Sequence, residues 1–159
     1  MNWNISAWSI RQPVPSLVLF MVLIALGYVS FGFIADAIGR KKTYVMYVLA
    51  ASVLLPLYGF LKAPVLLFVL GPFVAFFGTG YYSGFGAVIA ELYLTPVRAT
   101  AAGVCYNTGR IASAAAPFVV GSLADSRGFF AAFAVAGAAF LLAAVMWIRI
   151  PETRNAELR

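Results

Sequence analysis

Residues 14–34, 43–61, 65–90 and 129–148 contain no Asp, Glu, Lys, Arg or His. A helix of about twenty apolar residues crosses roughly 30 Å of hydrocarbon, so each run is long enough to span a bilayer. A fifth run, 99–123, has the same character with one charged residue inside it, Arg110. Such runs cannot all be buried in one water-soluble core, because the remainder supplies too little polar surface: 64% of residues are hydrophobic and 10% are charged. The pattern predicts an all-α membrane protein with five transmembrane helices, at approximately 14–34, 43–61, 65–90, 99–123 and 129–148. Together they make a single partial transmembrane domain over residues 1–159.

Charge then orients the chain. The compact turn from Gly32 to Lys42 ends in three consecutive cations, Arg40, Lys41 and Lys42. With that turn cytoplasmic, Arg98, Arg149, Arg154 and Arg159 fall on the same side, while Arg11, Lys62 and Arg127 fall on the other. This asymmetry follows the positive-inside rule and places the N-terminus outside and the C-terminus in the cytoplasm. The eleven cations are spread over the ends of apolar runs instead of gathered on one face, so they specify topology and no nucleic-acid partner is expected. Residues 1–13 lack a basic n-region and precede a run too long for a signal peptide, so the first span is expected to remain. An N-terminus carried across without a preceding helix hints at a missing upstream segment. There is no His and a single Cys, Cys105, so no His-dependent triad, multi-thiolate metal site or disulfide framework can be assembled. No enzyme activity and no cofactor are expected.

Arg110 is the most unusual residue. A cation halfway along an apolar span costs roughly 2.5–3.5 kcal/mol on insertion scales, which directs it toward a protein interior or water-filled cavity. Tyr106 and Asn107, four and three residues earlier, share its side of a helix. Gly103, Ala114, Pro117 and Gly121 keep the surroundings small and able to kink. No acid lies within any span, so the counter-charge must come from a substrate or from helices outside the chain; pairing for structure alone is the competing reading. In the third span, Tyr81 and Tyr82 point about a hundred degrees apart, so at most one of them faces a given cavity. Gly80 and Gly84 read as helix-packing residues, and the Phe and Trp residues, Trp147 included, as lipid-facing or interfacial anchors. The third run exceeds the length a perpendicular helix needs, and tilt or a glycine kink would absorb the excess.

Three motifs recur in a set order. The first is Gly32-xxx-Asp36-xx-Gly39-Arg40-Lys41-Lys42, the second is Glu91 followed after six residues by Arg98, and the third is Pro151-Glu152-Thr153-Arg154. Together they resemble the major facilitator superfamily, in its sugar porter and organic-acid:proton symporter branch, with the chain corresponding to the C-terminal portion, helices eight to twelve. Ala37 stands where the first-half copy of the loop motif usually has a cation, which matches a second-half copy. Gly80-Tyr81-Tyr82-Ser83-Gly84 lacks the Gly-Pro and Trp pattern of hexose porters. Gly109-Arg110 with Pro117 and Gly121 is similar to the eleventh helix of aromatic- and other organic-acid symporters.

The resemblance implies an incomplete C-terminal half of a transporter that encloses a midplane site between two halves. It implies a small organic substrate, possibly anionic, met by Arg110 and Asn107 with Tyr81 or Tyr82 across the cavity. It also implies a cytoplasmic gating cluster of Arg40, Glu91, Arg98 and Glu152, with Asp36 capping a helix of the opposite half. The expected partners are the lipid bilayer of the plasma (inner) membrane and the missing N-terminal half. The alternatives are a membrane scaffold or assembly partner without substrate, and a truncated transporter without activity.

Overall fold

The computed structural model describes residues 13–153. Arg11, Arg154 and Arg159 of the cation count lie outside the described residues. Among the described residues seven α-helices follow in order: α1 (Pro13–Ile38), α2 (Arg40–Phe60), α3 (Pro64–Gly80), α4 (Phe85–Leu92), α5 (Thr95–Ala114), α6 (Ala116–Arg127) and α7 (Phe129–Trp147). A 3-10 turn, Tyr81–Gly84, joins α3 to α4, and a one-residue break at Ala115 separates α5 from α6. No strand occurs among the described residues, and the helices form five rods, two of them interrupted.

Each break has a local cause. Pro117 lacks an amide N–H and its ring crowds the carbonyl four residues back, so a continuous helix through Ala115 is disfavoured. The long third rod is interrupted where Gly80 and Gly84, weak helix formers, flank and end the 3-10 turn Tyr81–Gly84. Among the described residues four helical stretches are long and apolar enough to cross a membrane: Leu17–Ile38, Arg40–Phe60, Pro64–Leu92 and Phe129–Trp147. The α5–α6 rod falls outside that set, since α6 has only 12 residues and α5 carries Arg98, Asn107 and Arg110.

The helices run further into the polar turns than the apolar runs do. Gly39 alone separates α1 from α2, at φ 107° and ψ 149°, a conformation open to glycine and costly for any side chain. That single-residue turn leaves Asp36 on the last turn of α1 and Arg40 at the first position of α2. Likewise Glu91 lies on the last turn of α4 and Arg98 on the first turn of α5, with only Tyr93 and Leu94 between the helices.

Lipid tails are as apolar as leucine, so the helices are held by close packing and interhelical hydrogen bonds. The core lies where α1, α2, α3 and α7 meet. Tyr44, Tyr47, Val48 and Ala51 recur at helical spacing and form the buried stripe of α2. Phe31 and Ala35 meet this stripe from α1 and Ala144 from α7. The Tyr47 hydroxyl lies 2.8 Å from Ser30 Oγ on α1, an interhelical hydrogen bond worth about 0.6 kcal/mol in a membrane protein. Glycines set the closest approaches: a Cβ on Gly80 would lie 2.8 Å from the Gly27 carbonyl oxygen, and one on Gly137 2.7 Å from that of Ser52. Gly80 and Gly84 are thus packing positions, the latter against the Phe31 ring. Trp147, expected as an interfacial anchor, is half-buried and also packs inward: its ring stacks on Tyr44 with centroids 3.6 Å apart, because the last turn of α7 lies against the first turns of α2.

Candidate functional site

Two groups of polar side chains stand out against the apolar rods. The first gathers where α1 passes into α2. Arg40 Nε lies 2.8 Å from Glu91 Oε1, with the two side chains 24% and 12% exposed, so the pair is partly withdrawn from solvent. The Arg40 Nε–H is not aligned for a hydrogen bond, and the attraction is that of close opposite charges. Asp36 Oδ1 is 3.9 Å from Arg40 Nη2 and its side chain is 75% exposed, leaving the carboxylate open to further contact.

Glu152 reaches the same place by a different route. Its Oε1 accepts hydrogen bonds from the backbone amides of Arg40 at 2.9 Å and Lys41 at 3.4 Å. A carboxylate at this point satisfies amides that have no partner within the helix and meets the positive end of the α2 dipole. Glu152 therefore joins the cluster as a cap supplied from 112 residues away in sequence, rather than as an ion pair with the Arg40 guanidinium. The bare Cα of Gly39 makes room for it, since a Cβ there would lie 2.6 Å from Glu152 Oε2. Thr43 Oγ1 donates to the Gly39 carbonyl at 2.8 Å and ties the first turn of α2 to the break. Arg98, the remaining residue expected here, is half-buried on the first turn of α5.

The second group lies on the rod least covered by the rest of the protein. Neither α5 nor α6 has a buried residue, and α5 packs against α4 and α6. Arg110 and Asn107 are both exposed on α5. Tyr106, one turn before Arg110, lies against two aromatic rings from the neighbouring rod: Tyr82 at 5.7 Å and Phe85 at 5.1 Å, both edge-on. Tyr82 and Phe85 are themselves stacked at 6.1 Å. This aromatic wall therefore borders the helix face that carries Asn107 and Arg110.

The two tyrosines expected near the site separate, as their angular offset requires. Tyr82 belongs to the wall and is 44% exposed. Tyr81 turns inward, edge-on to Tyr44 at 5.2 Å and Phe140 at 5.9 Å, where it packs α3 against α2 and α7. Tyr81 thus serves packing, and it meets the wall edge-on at the Tyr82 ring, 6.3 Å away. Phe85 was not singled out by the sequence, although its spacing three residues after Tyr82 was the available signal. Among the described residues no cluster of three or more potential metal ligands occurs.

Known proteins supply the family. The sequence pattern of the Major Facilitator Superfamily matches residues 7–159. A Haemophilus influenzae protein classed with metabolite transport proteins is 35% identical over 129 residues, which cover 80% of this chain and 32% of that protein. The cis,cis-muconate transport protein of Acinetobacter baylyi is 36% identical over 123 residues, 76% of this chain and 29% of the relative. The niacin transporter of the same organism is 30% identical over 144 residues, 89% of this chain and 33% of the relative. The chain thus spans about a third of the length of these relatives. Apolar rods, the Arg40–Glu91–Glu152 cluster and these matches agree, and the chain is an integral membrane protein that belongs to the Major Facilitator Superfamily.

Proposed function

We propose that the chain is the C-terminal portion of a secondary transporter for a small organic acid, coupled to protons, in the plasma (inner) membrane. The observation that carries this reading is Arg110: a guanidinium midway along the α5–α6 rod, exposed, on the helix that carries Asn107 and beside a wall of Tyr82, Phe85 and Tyr106. Among the described residues it has no acidic partner. A guanidinium offers a planar fork of donors that pairs bidentately with a carboxylate, and the rings supply the apolar walls typical of small-molecule sites. The names of two relatives, a muconate and a niacin transporter, fit a carboxylate cargo.

In this reading a second half covers the exposed face of α5, and Asn107 fixes the orientation of the bound acid by one further hydrogen bond. The Arg40–Glu91 pair lies at the cytoplasmic end with the N-terminus outside, and it biases the balance between conformers by making and breaking as the halves rock. Arg98 shares that end, and Asp36 meets a helix N-terminus of the other half.

The test is uptake of labelled muconate and nicotinate by proteoliposomes holding the chain together with a complementary N-terminal half. Arg110→Lys keeps the charge and loses the fork, so uptake falls; Arg110→Ala abolishes it while membrane insertion persists. Normal uptake by Arg110→Ala would remove the substrate role.

A further inference from the structure

The end of the molecule opposite the Arg40 cluster holds a basic groove that the transport reading does not use. There the C-terminal turn of α2 meets the N-terminal turn of α7: the Phe60 and Phe130 rings are 6.2 Å apart, and Tyr58 and Phe133 are 5.4 Å apart. A groove of about 820 Å³ runs between the α2–α3 and α6–α7 connections. Phe60, Leu66, Phe129 and Phe130 line it, each at least half exposed. Lys62 and Arg127 also line it, one from each connection, and no acidic residue does. Asp125, two residues before Arg127, is not part of the lining. Among the described residues neither cation has an acidic partner.

We propose that this groove binds an anionic phospholipid, with its phosphate between Lys62 and Arg127 and an acyl chain along Phe60, Leu66, Phe129 and Phe130. Three features fix the occupant's chemistry. The apolar part calls for a hydrocarbon, the two cations call for an anion, and both lie at the level where the α2, α3, α6 and α7 rods end, the depth of lipid headgroups. Basic pockets between transmembrane helices bind acidic headgroups for the same reason. Arg127 also lies favourably in the last turn of α6. That does not account for Lys62, which lies beyond the end of α2 and comes to the same groove from a different connection. The site is independent of Arg110 and of any transported substrate.

Native mass spectrometry of the purified chain in a nonionic detergent tests the proposal, with phosphatidylglycerol and phosphatidylcholine of identical acyl chains as probes. Phosphatidylglycerol is retained in preference, and Lys62→Gln and Arg127→Gln each lower that preference about fivefold, the effect of one basic side chain near an anionic headgroup. Lys62→Arg and Arg127→Lys keep it, and the Lys41→Gln, Lys42→Gln pair at the opposite end leaves it unchanged. Equal retention of the two lipids overturns the proposal, as does an undiminished preference in the Lys62→Gln, Arg127→Gln double variant. Displacement of the lipid by glycerol 1-phosphate at matched concentration also overturns it, because the groove would then be a soluble-phosphate site.

Discussion

Replacing Gly39 by Ala tests the junction of α1 and α2 most severely. Two costs arise from one methyl group. The backbone at φ 107° and ψ 149° lies in a region that is essentially glycine's alone, and holding alanine there costs about 1–3 kcal/mol. The new Cβ would also stand 2.6 Å from Glu152 Oε2 and 3.0 Å from its Cδ, so the carboxylate must withdraw from the α2 amides. Losing a side-chain cap costs about 0.5–2 kcal/mol. The sum places Gly39→Ala roughly 1.5–5 kcal/mol below the parent. A cycle with Glu152→Ala separates the terms, since Glu152→Ala removes the cap alone and the double variant cannot lose it twice. The two single penalties should therefore exceed the double penalty by about 1 kcal/mol. Glu152→Gln keeps an acceptor oxygen and should lose only the dipole interaction, about 0.3–1 kcal/mol. The assay is unfolding of the purified chain by SDS in mixed micelles, followed by far-UV circular dichroism. A Gly39→Ala protein as stable as the parent, or penalties that add in full, would refute the account of Glu152 as a cap lodged against a bare Cα.

Two further outcomes are expected. Gly27→Val should part α1 from α3, since even a Cβ at this position lies 2.7 Å from the Phe76 carbonyl oxygen; about 1–3 kcal/mol of destabilisation in the same SDS titration is expected, and a neutral result would mean that the rods do not meet there. Cysteines placed at Lys42 and Ser126 in a Cys105→Ser background should react with an impermeant thiol reagent from opposite sides of the membrane, and same-side labelling would overturn the topology.

The rods were legible in the sequence because a bilayer demands uninterrupted apolar length, and few other sequences supply it. The cluster at Arg40 was legible through its motifs, but the chemistry of Glu152 was not. A glutamate beside three cations reads as an ion-pair partner, and only the path of the backbone shows that it reaches the amides of Arg40 and Lys41. The packing role of Trp147 is hidden for a related reason. An aromatic near the end of a span looks like an anchor at the headgroups, and its partner Tyr44 lies on a helix a hundred residues earlier. The offset between Tyr81 and Tyr82 followed from helix geometry, whereas which of them turns inward depended on where α2 and α7 pack. That is tertiary information, absent from local spacing.

The break at Ala115 makes the fourth rod a lever. Its α6 arm is packed against α7, while the α5 arm meets α4, α6 and, through Tyr106, the 3-10 turn at Tyr82. At 1.5 Å per residue, Arg110 stands roughly 7.5 Å from the fulcrum and Arg98 about 25 Å. A swing of about 20° at the fulcrum, taken for scale, displaces Arg110 by roughly 2.6 Å and Arg98 by about 9 Å along the same 1.5 Å-per-residue arm. A shift comparable to one hydrogen-bond length at the guanidinium is thereby multiplied more than threefold at the charged end. The position of a single proline thus sets the gearing between the two polar groups of the molecule.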